Sequence, residues 1–193
     1  MKLTSGDLLL LFFYAKGETD NFNEPIMGRT RLVKMGYVFD KELYKDFIKE
    51  KTIFDDICLP EFFAWDFGPM SKDMLQDLEF FIKINFVKAI DEQNTFAFEE
   101  AQEFSSLAEE YSLEDAQEQE YVTQKYFLSE TGRKYVEVNL YNNLSGKQKQ
   151  MLDNLKKRFN QASLTKIIEY VYKTYPESTV KSKIADKVLS TLN

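Results

Sequence analysis

The sequence predicts a mainly helical α+β fold, a winged helix-turn-helix core with a small β wing, an acidic insert and extra C-terminal helices. Three observations carry that expectation. Of 193 residues only 7 are Gly and 4 are Pro, while 44% are hydrophobic and 15% aromatic, so helix breakers are few and core material is ample. Apolar residues recur at three- and four-residue steps in several segments, most of which open on Ser or Thr. The coarse order is helix, helix, short strand, helix, strand, acidic stretch, strand, then helices, and strands around a third helix are the layout of a winged helix.

Thr4 or Ser5 caps the first helix, with Asp7 in its electropositive first turn. The run Leu8 to Ala15 makes this helix apolar all round, which predicts burial on every side. Residues 18–27 read as a polar loop. A second helix starts near Gly28 to Thr30 and runs to about Lys49 on Leu32, Met35, Phe39, Leu43 and Phe47, with a bend near Gly36 or Asp40. Glu61 to Trp65 has the aromatic density of a short strand, and Gly68-Pro69 breaks the chain. Ser71 caps a third helix with the stripe Met74, Leu75, Leu78, Phe81 and Ile82. Phe86 to Ile90 and Tyr121 to Leu128 read as strands on either side of the acidic stretch. Ser129, Ser145 and Ser163 cap the next three helices, and Pro176 ends the last of these. A final helix is expected after Ser178, on Val180, Ile184, Val188 and Leu192. The chain thus divides into a winged-helix-like part, residues 1–144, and a C-terminal helical extension, residues 145–193, packed on it.

The charge is unevenly placed. The net charge is −7, yet residues 91–120 hold 11 acids and no Lys or Arg, while residues 145–193 hold 10 basic and 4 acidic side chains. The acidic stretch also carries aromatic residues. It reads either as a solvated face or as a surface for a basic partner.

Several function classes are excluded by composition. His is absent, which removes Ser-His-Asp and Cys-His nucleophile pairs, histidine acid–base work and histidine metal ligands. The one cysteine, Cys58, forms neither an internal disulfide nor a thiolate cage and is expected to be buried and inert. Asp55-Asp56 and Glu99-Glu100 are adjacent carboxylates that point apart and lack further ligands. No catalytic residue, metal or cofactor is therefore expected. The longest apolar run is too short for a bilayer, which takes about 20 residues, so no membrane is expected and a reducing cytoplasmic setting is the natural expectation.

Two groups of residues are candidates for binding. Arg29, Arg31 and Lys34 cluster at a helix start, where cations oppose the helix dipole; either ordinary pairing with Asp or Glu elsewhere in the fold or phosphate contact would explain them. Lys72 and Gln76 on the third helix could join them on DNA, Gln76 reading adenine. The third helix nevertheless carries more acids than bases, which suits a phosphate-lined groove poorly. The second group lies in the acidic stretch: Phe96, Phe98, Glu99, Glu100, Glu103, Phe104, Glu109, Glu110 and Tyr111, aromatic anchors among carboxylates that fit a basic protein surface. A further basic surface is expected at residues 145–193, densest at Lys156-Lys157-Arg158, and Trp65 and Phe67 beside Gly68-Pro69 read as a packed turn.

Three segments also carry a family resemblance. Met27-Gly28-Arg29-Thr30-Arg31-Leu32-Val33-Lys34-Met35 resembles the G-R-T-x-L-x-K-L opening of YwgA-like proteins. FFAWDFGPMS, residues 62–71, is similar to the aromatic Y/F-G-P-x-S turn before their third helix. Tyr126 to Gly132 resembles their Y-x-L-T-x-x-G, and the tail from Tyr170 to Glu177 resembles their C-terminal segment. The same framework is more distantly similar to the Panacea domain of SocA-type antitoxins. The resemblance implies a winged-helix fold and a regulatory or antitoxin role rather than catalysis; the acidic insert is where this chain departs from the pattern. The expectation is a non-enzymatic, antitoxin-like or adaptor-like protein-interaction module. The alternative is a DNA-binding transcriptional regulator using residues 71–85 and the cluster 29–34, with a homodimer open in either case.

Overall fold

Thr4 and Asp7 close the first turn of α1 (Ser5–Tyr14) reciprocally: the Asp7 N–H donates to Thr4 Oγ1 at 3.0 Å and the Thr4 N–H to Asp7 Oδ2 at 2.9 Å. Every residue from Leu8 to Ala15 is buried, as the all-apolar run requires. The computed structural model describes residues 1–50, 52–92 and 123–190. In it the chain is mainly helical with small sheets, and α1 is the central rod.

Before α1 lies β1 (Lys2–Leu3), and after it a polar loop leads to β2 (Ile26–Met27). Gly28 then turns the chain at φ 76°, a left-handed conformation that suits glycine, into α2 (Arg29–Val38). The expected bend near Asp40 is a π turn over Phe39–Leu43, after which the helical stretch begun by α2 ends in α3 (Tyr44–Phe47). Further along come β3 (Asp56–Ile57), parallel to β1, and a hairpin of β4 (Phe63–Trp65) and β5 (Gly68–Met70). Gly68-Pro69 is therefore part of a strand rather than a break. This hairpin stands alone, and Pro69 is tolerated in it because a two-stranded ribbon consists of edges. The expected inert, buried Cys58 is exposed: it follows buried Ile57 directly, and successive side chains of extended backbone point to opposite faces.

Ser71 caps α4 (Lys72–Lys83) by accepting from the Met74 N–H. Asn85, at φ 61°, turns the chain into β6 (Val87–Glu92), which pairs antiparallel with β7 (Thr123–Leu128) from Val87 opposite Leu128 to Glu92 opposite Thr123. β2 adds to the free edge of β7, with Ile26 opposite Tyr126, so the sheet order is β2-β7-β6. β2 falls in the segment expected as loop; two residues are too few to show a strand period.

Ser129 caps α5 (Glu130–Asn139), and Ser145 with Gln148 forms a second capping box at α6 (Gly146–Gln161). Ser163 caps α7 (Leu164–Thr174), and Pro176 opens a short 3-10 turn. The last helix, α8 (Ala185–Ser190), starts later than expected. The reason is tertiary: the Lys183 N–H and the Ser182 hydroxyl both donate to the Asp66 carbonyl in the hairpin turn, at 2.9 and 3.2 Å. That leaves Val180 on the surface while Ile184 and Val188 are buried.

α5 rests on the start of β6 through Gly132. The Ser129 N–H donates to the Phe86 carbonyl at 2.8 Å, and a Cβ at Gly132 would stand 2.2 Å from that same oxygen. Gly132→Ala should therefore destabilise the fold by about 2 kcal/mol as overpacking, despite the roughly 1 kcal/mol better helix propensity of alanine. A urea-unfolding midpoint equal to or above that of the parent chain would contradict this close approach.

Candidate functional site

The basic cluster of α2 does not form one surface. Arg29 is exposed, and its guanidinium is held by Glu79 Oε1 of α4 at 2.5 Å and by the Tyr126 hydroxyl of β7 at 3.1 Å. These contacts, the Tyr126 hydrogen bond first, hold it still more firmly protonated than usual. Arg31 is buried: its Nε donates to the Met27 carbonyl, and its Nη1 to the carbonyls of Phe159 and Ala162 at the end of α6. Lys34 is also buried, and its Nζ donates to the Phe67 and Pro69 carbonyls of the hairpin at 2.6 and 2.8 Å. Arg31 and Lys34 are thus corrected from phosphate ligands to interior residues. Residues two and five positions from Arg29 lie elsewhere on the helix surface, here the surface that packs inward.

Lys72 and Gln76 are exposed on α4, as expected, and Lys72 lies over the Phe63 ring. Their neighbours on the same outward surface are Asp73, Glu79, Phe80 and Lys83. Asp77 is half-buried and accepts from the Ser5 hydroxyl. Phe80 is 55% exposed and begins an aromatic run: Phe80 on Phe81, Phe81 stacked on Phe86, and Phe86 on Tyr135 of α5. Ile84, Ile90 and Val138 are exposed as well. The nine candidates in the acidic stretch, Phe96, Phe98, Glu99, Glu100, Glu103, Phe104, Glu109, Glu110 and Tyr111, lie outside the described residues.

The C-terminal basic surface is also smaller than expected. Lys156 is buried, with Nζ donating to the Phe13 and Ala15 carbonyls at 2.7 and 2.9 Å. Lys157 pairs with Asp20. Arg158 lies 4.1 Å over the Tyr170 ring and pairs with Glu42 at 3.0 Å. Glu42 sits in the π turn and also accepts from the Tyr170 and Tyr175 hydroxyls. Burial pushes its carboxyl upward, but these donors outweigh burial and hold it below the usual range.

What the residue pattern did not reveal is a cleft of about 230 Å³ where the start of α2 faces the hairpin and α4. Arg29, Thr30, Val33 and Lys34 line one side, and Trp65 and Met70 the other. Trp65, expected in a packed turn, is 49% exposed at this cleft. The hairpin that forms the far wall is pinned by Lys34 from below and by the Asp66–Lys183 ion pair at its turn. Among the described residues, no His/Cys/Asp/Glu group of three or more could hold a metal ion, and no helix is long and apolar enough to cross a membrane. No protein-family model, curated protein or solved structure matches the chain.

Burial pushes the amines of Lys34 and Lys156 down to about 7, for Lys156 against the opposing pull of Glu24 and Asp153. A neutral amine still has two N–H groups, enough for both carbonyls. In the unfolded chain these lysines titrate near 10.4. Between about pH 7 and 10 the unfolded chain therefore binds more protons, and stability should rise with pH across that window. Burial also pushes Tyr37, Tyr141 and Tyr172 up to about 12. Above about pH 10 the unfolded chain then loses protons first and stability should fall. Urea midpoints measured from pH 6 to 12 should peak near pH 10, and Lys156→Met should flatten the rising limb. That variant should also lose about 2 kcal/mol at pH 9 from two unpaired carbonyls. A midpoint that falls steadily from pH 7 would refute the assignment.

Proposed function

We propose that this chain is a non-enzymatic regulatory protein with a winged-helix fold that acts in the cytoplasm by binding a protein partner, as an antitoxin-like or adaptor-like module. The sheet order β2-β7-β6, with α2 and α4 lying between β2 and β6 in sequence, supports the winged-helix reading. So does the resemblance to YwgA-like proteins and, more distantly, to the Panacea domain of SocA-type antitoxins.

The observation that carries the choice of partner is the outward surface of α4, the helix that would enter a major groove. It presents Phe80 and a carboxylate–guanidinium pair, Glu79 with Arg29, where a DNA reader needs free cations. Two of the three cations that would have gripped the backbone, Arg31 and Lys34, are interior. Exposed Phe80, Ile84 and Tyr135 instead provide apolar anchors of the kind that dominate protein interfaces. The acidic stretch beyond β6 adds charge complementary to a basic partner. The DNA-binding alternative retains only Arg29, Lys72 and Gln76 on the surface.

The test uses the immobilised full chain and two variants, Phe80→Glu and one with a short Gly-Ser linker in place of residues 93–122. The full chain should retain a discrete protein from an extract of its source organism, and the linker variant should lose it. Phe80→Glu should weaken retention about tenfold, as for a hot-spot residue. In parallel, fluorescence anisotropy should show no preference for DNA from upstream of the gene over random duplex. Submicromolar, sequence-selective DNA binding at about 150 mM salt would overturn this reading in favour of the regulator.

A further inference from the structure

The cleft between α2 and the β4–β5 hairpin combines two kinds of wall. Trp65, Val33, Met70 and Leu75 are apolar, and the charged residues that line it, Arg29 and Lys34, are both cations. Glu79 meets Arg29 but is not part of the lining. The helix that opens onto the cleft has Gly28 at its N-cap and no side-chain cap, so its first-turn N–H groups add to the positive potential there. At the floor, two carbonyls take two N–H groups of Lys34; a carboxylate placed beside this amine favours its ammonium form, which has a third.

We propose that this cleft binds a small monocarboxylic acid with a compact apolar body. Its carboxylate is held by Lys34 and the opening turn of α2, with Arg29 at the mouth, and its body is covered by Trp65, Val33 and Leu75. The size fits: a cavity of about 150 Å³ holds benzene, so 230 Å³ accommodates a ring with a short acid-bearing arm. The charge fits too, because a cation in a largely apolar cleft attracts an anion more strongly than it does in bulk water. The bound acid would bridge α2 to the hairpin, and through Asp66 to the C-terminal segment that Lys183 anchors. This inference stands apart from the protein-partner reading, and neither depends on the other.

Trp65 is the one tryptophan of the chain, so its fluorescence reports on the cleft directly. The full chain is titrated with phenylacetate and with hexanoate, and with phenylacetamide as the uncharged match. At least one acid should give a saturable change, with phenylacetamide at least about tenfold weaker than phenylacetate. Thr30→Glu places a negative charge in the cleft and a favourable one at a helix start, so it should keep or raise the thermal midpoint. It should also weaken acid binding by at least about tenfold. No saturable response to either acid up to about 10 mM overturns the proposal. So does equal affinity for phenylacetamide, or undiminished acid binding by a folded Thr30→Glu chain.

Discussion

Among the described residues, three buried basic side chains that bind backbone carbonyls rather than carboxylates hold this fold together. Lys156 reaches the carbonyls of Phe13 and Ala15 where α1 ends, Arg31 those of Phe159 and Ala162 where α6 ends, and Lys34 those of Phe67 and Pro69 in the hairpin. The last carbonyls of a helix have no partner within it, and the helix dipole makes that end negative. A glycine commonly closes such an end. Here α1 and α6 end at Ala15 and Ala162, and a distant side chain does the work instead. Burying a charge is costly, which is why the two lysine amines are pushed down to about 7, but each basic side chain meets at least two oxygens, and the carbonyls would be costly to bury alone. The position of α2, the seat of the hairpin and therefore the width of the cleft all follow from these contacts.

The same cations mark where the sequence could be read and where it misled. Caps were legible because they are local: Thr4, Ser71, Ser129, Ser145 and Ser163 each accept from an N–H three residues on. The long pair β6–β7 is legible from the apolar run Phe86 to Ile90 and the loose alternation of Tyr121 to Leu128. Lys156 looks like surface because it stands in a Lys-Lys-Arg run. Yet it follows Leu152 by four residues and precedes Phe159 by three, which puts it on the buried stripe of α6. Arg31 and Lys34 stand likewise among Leu32, Met35 and Val38. A cation at helical spacing with core residues was the available signal. The cleft had no such signal, since its walls come from segments more than 30 residues apart and only the tertiary fold brings them together.

The surface of α4 gains its character from pairing rather than from composition alone. Arg29 would be a free cation at a helix start, but Glu79 and the Tyr126 hydroxyl engage it from two other elements. Arg158 and Lys157 are similarly engaged by Glu42 and Asp20. Basic residues that look clustered along the chain are thus distributed among separate joints of the fold. The aromatic run from Phe80 to Tyr135 then becomes the most distinctive exposed feature near α4.

The lysine that closes α1 has a consequence for the order of events during synthesis. Its contacts span 141 and 143 positions of sequence. On a ribosome, α1 emerges well before α6, apolar on every side, and its last carbonyls have no cap until Lys156 has been translated. At about 5–20 residues per second, that interval lasts roughly 7–30 s. Arg31 waits in the same way for Phe159 and Ala162, 128 and 131 positions on. The apolar run Leu8 to Ala15 is therefore synthesised well before its locking partner exists. Completion of this fold waits for residues 156–162, and slow, non-local closure is its natural kinetic signature.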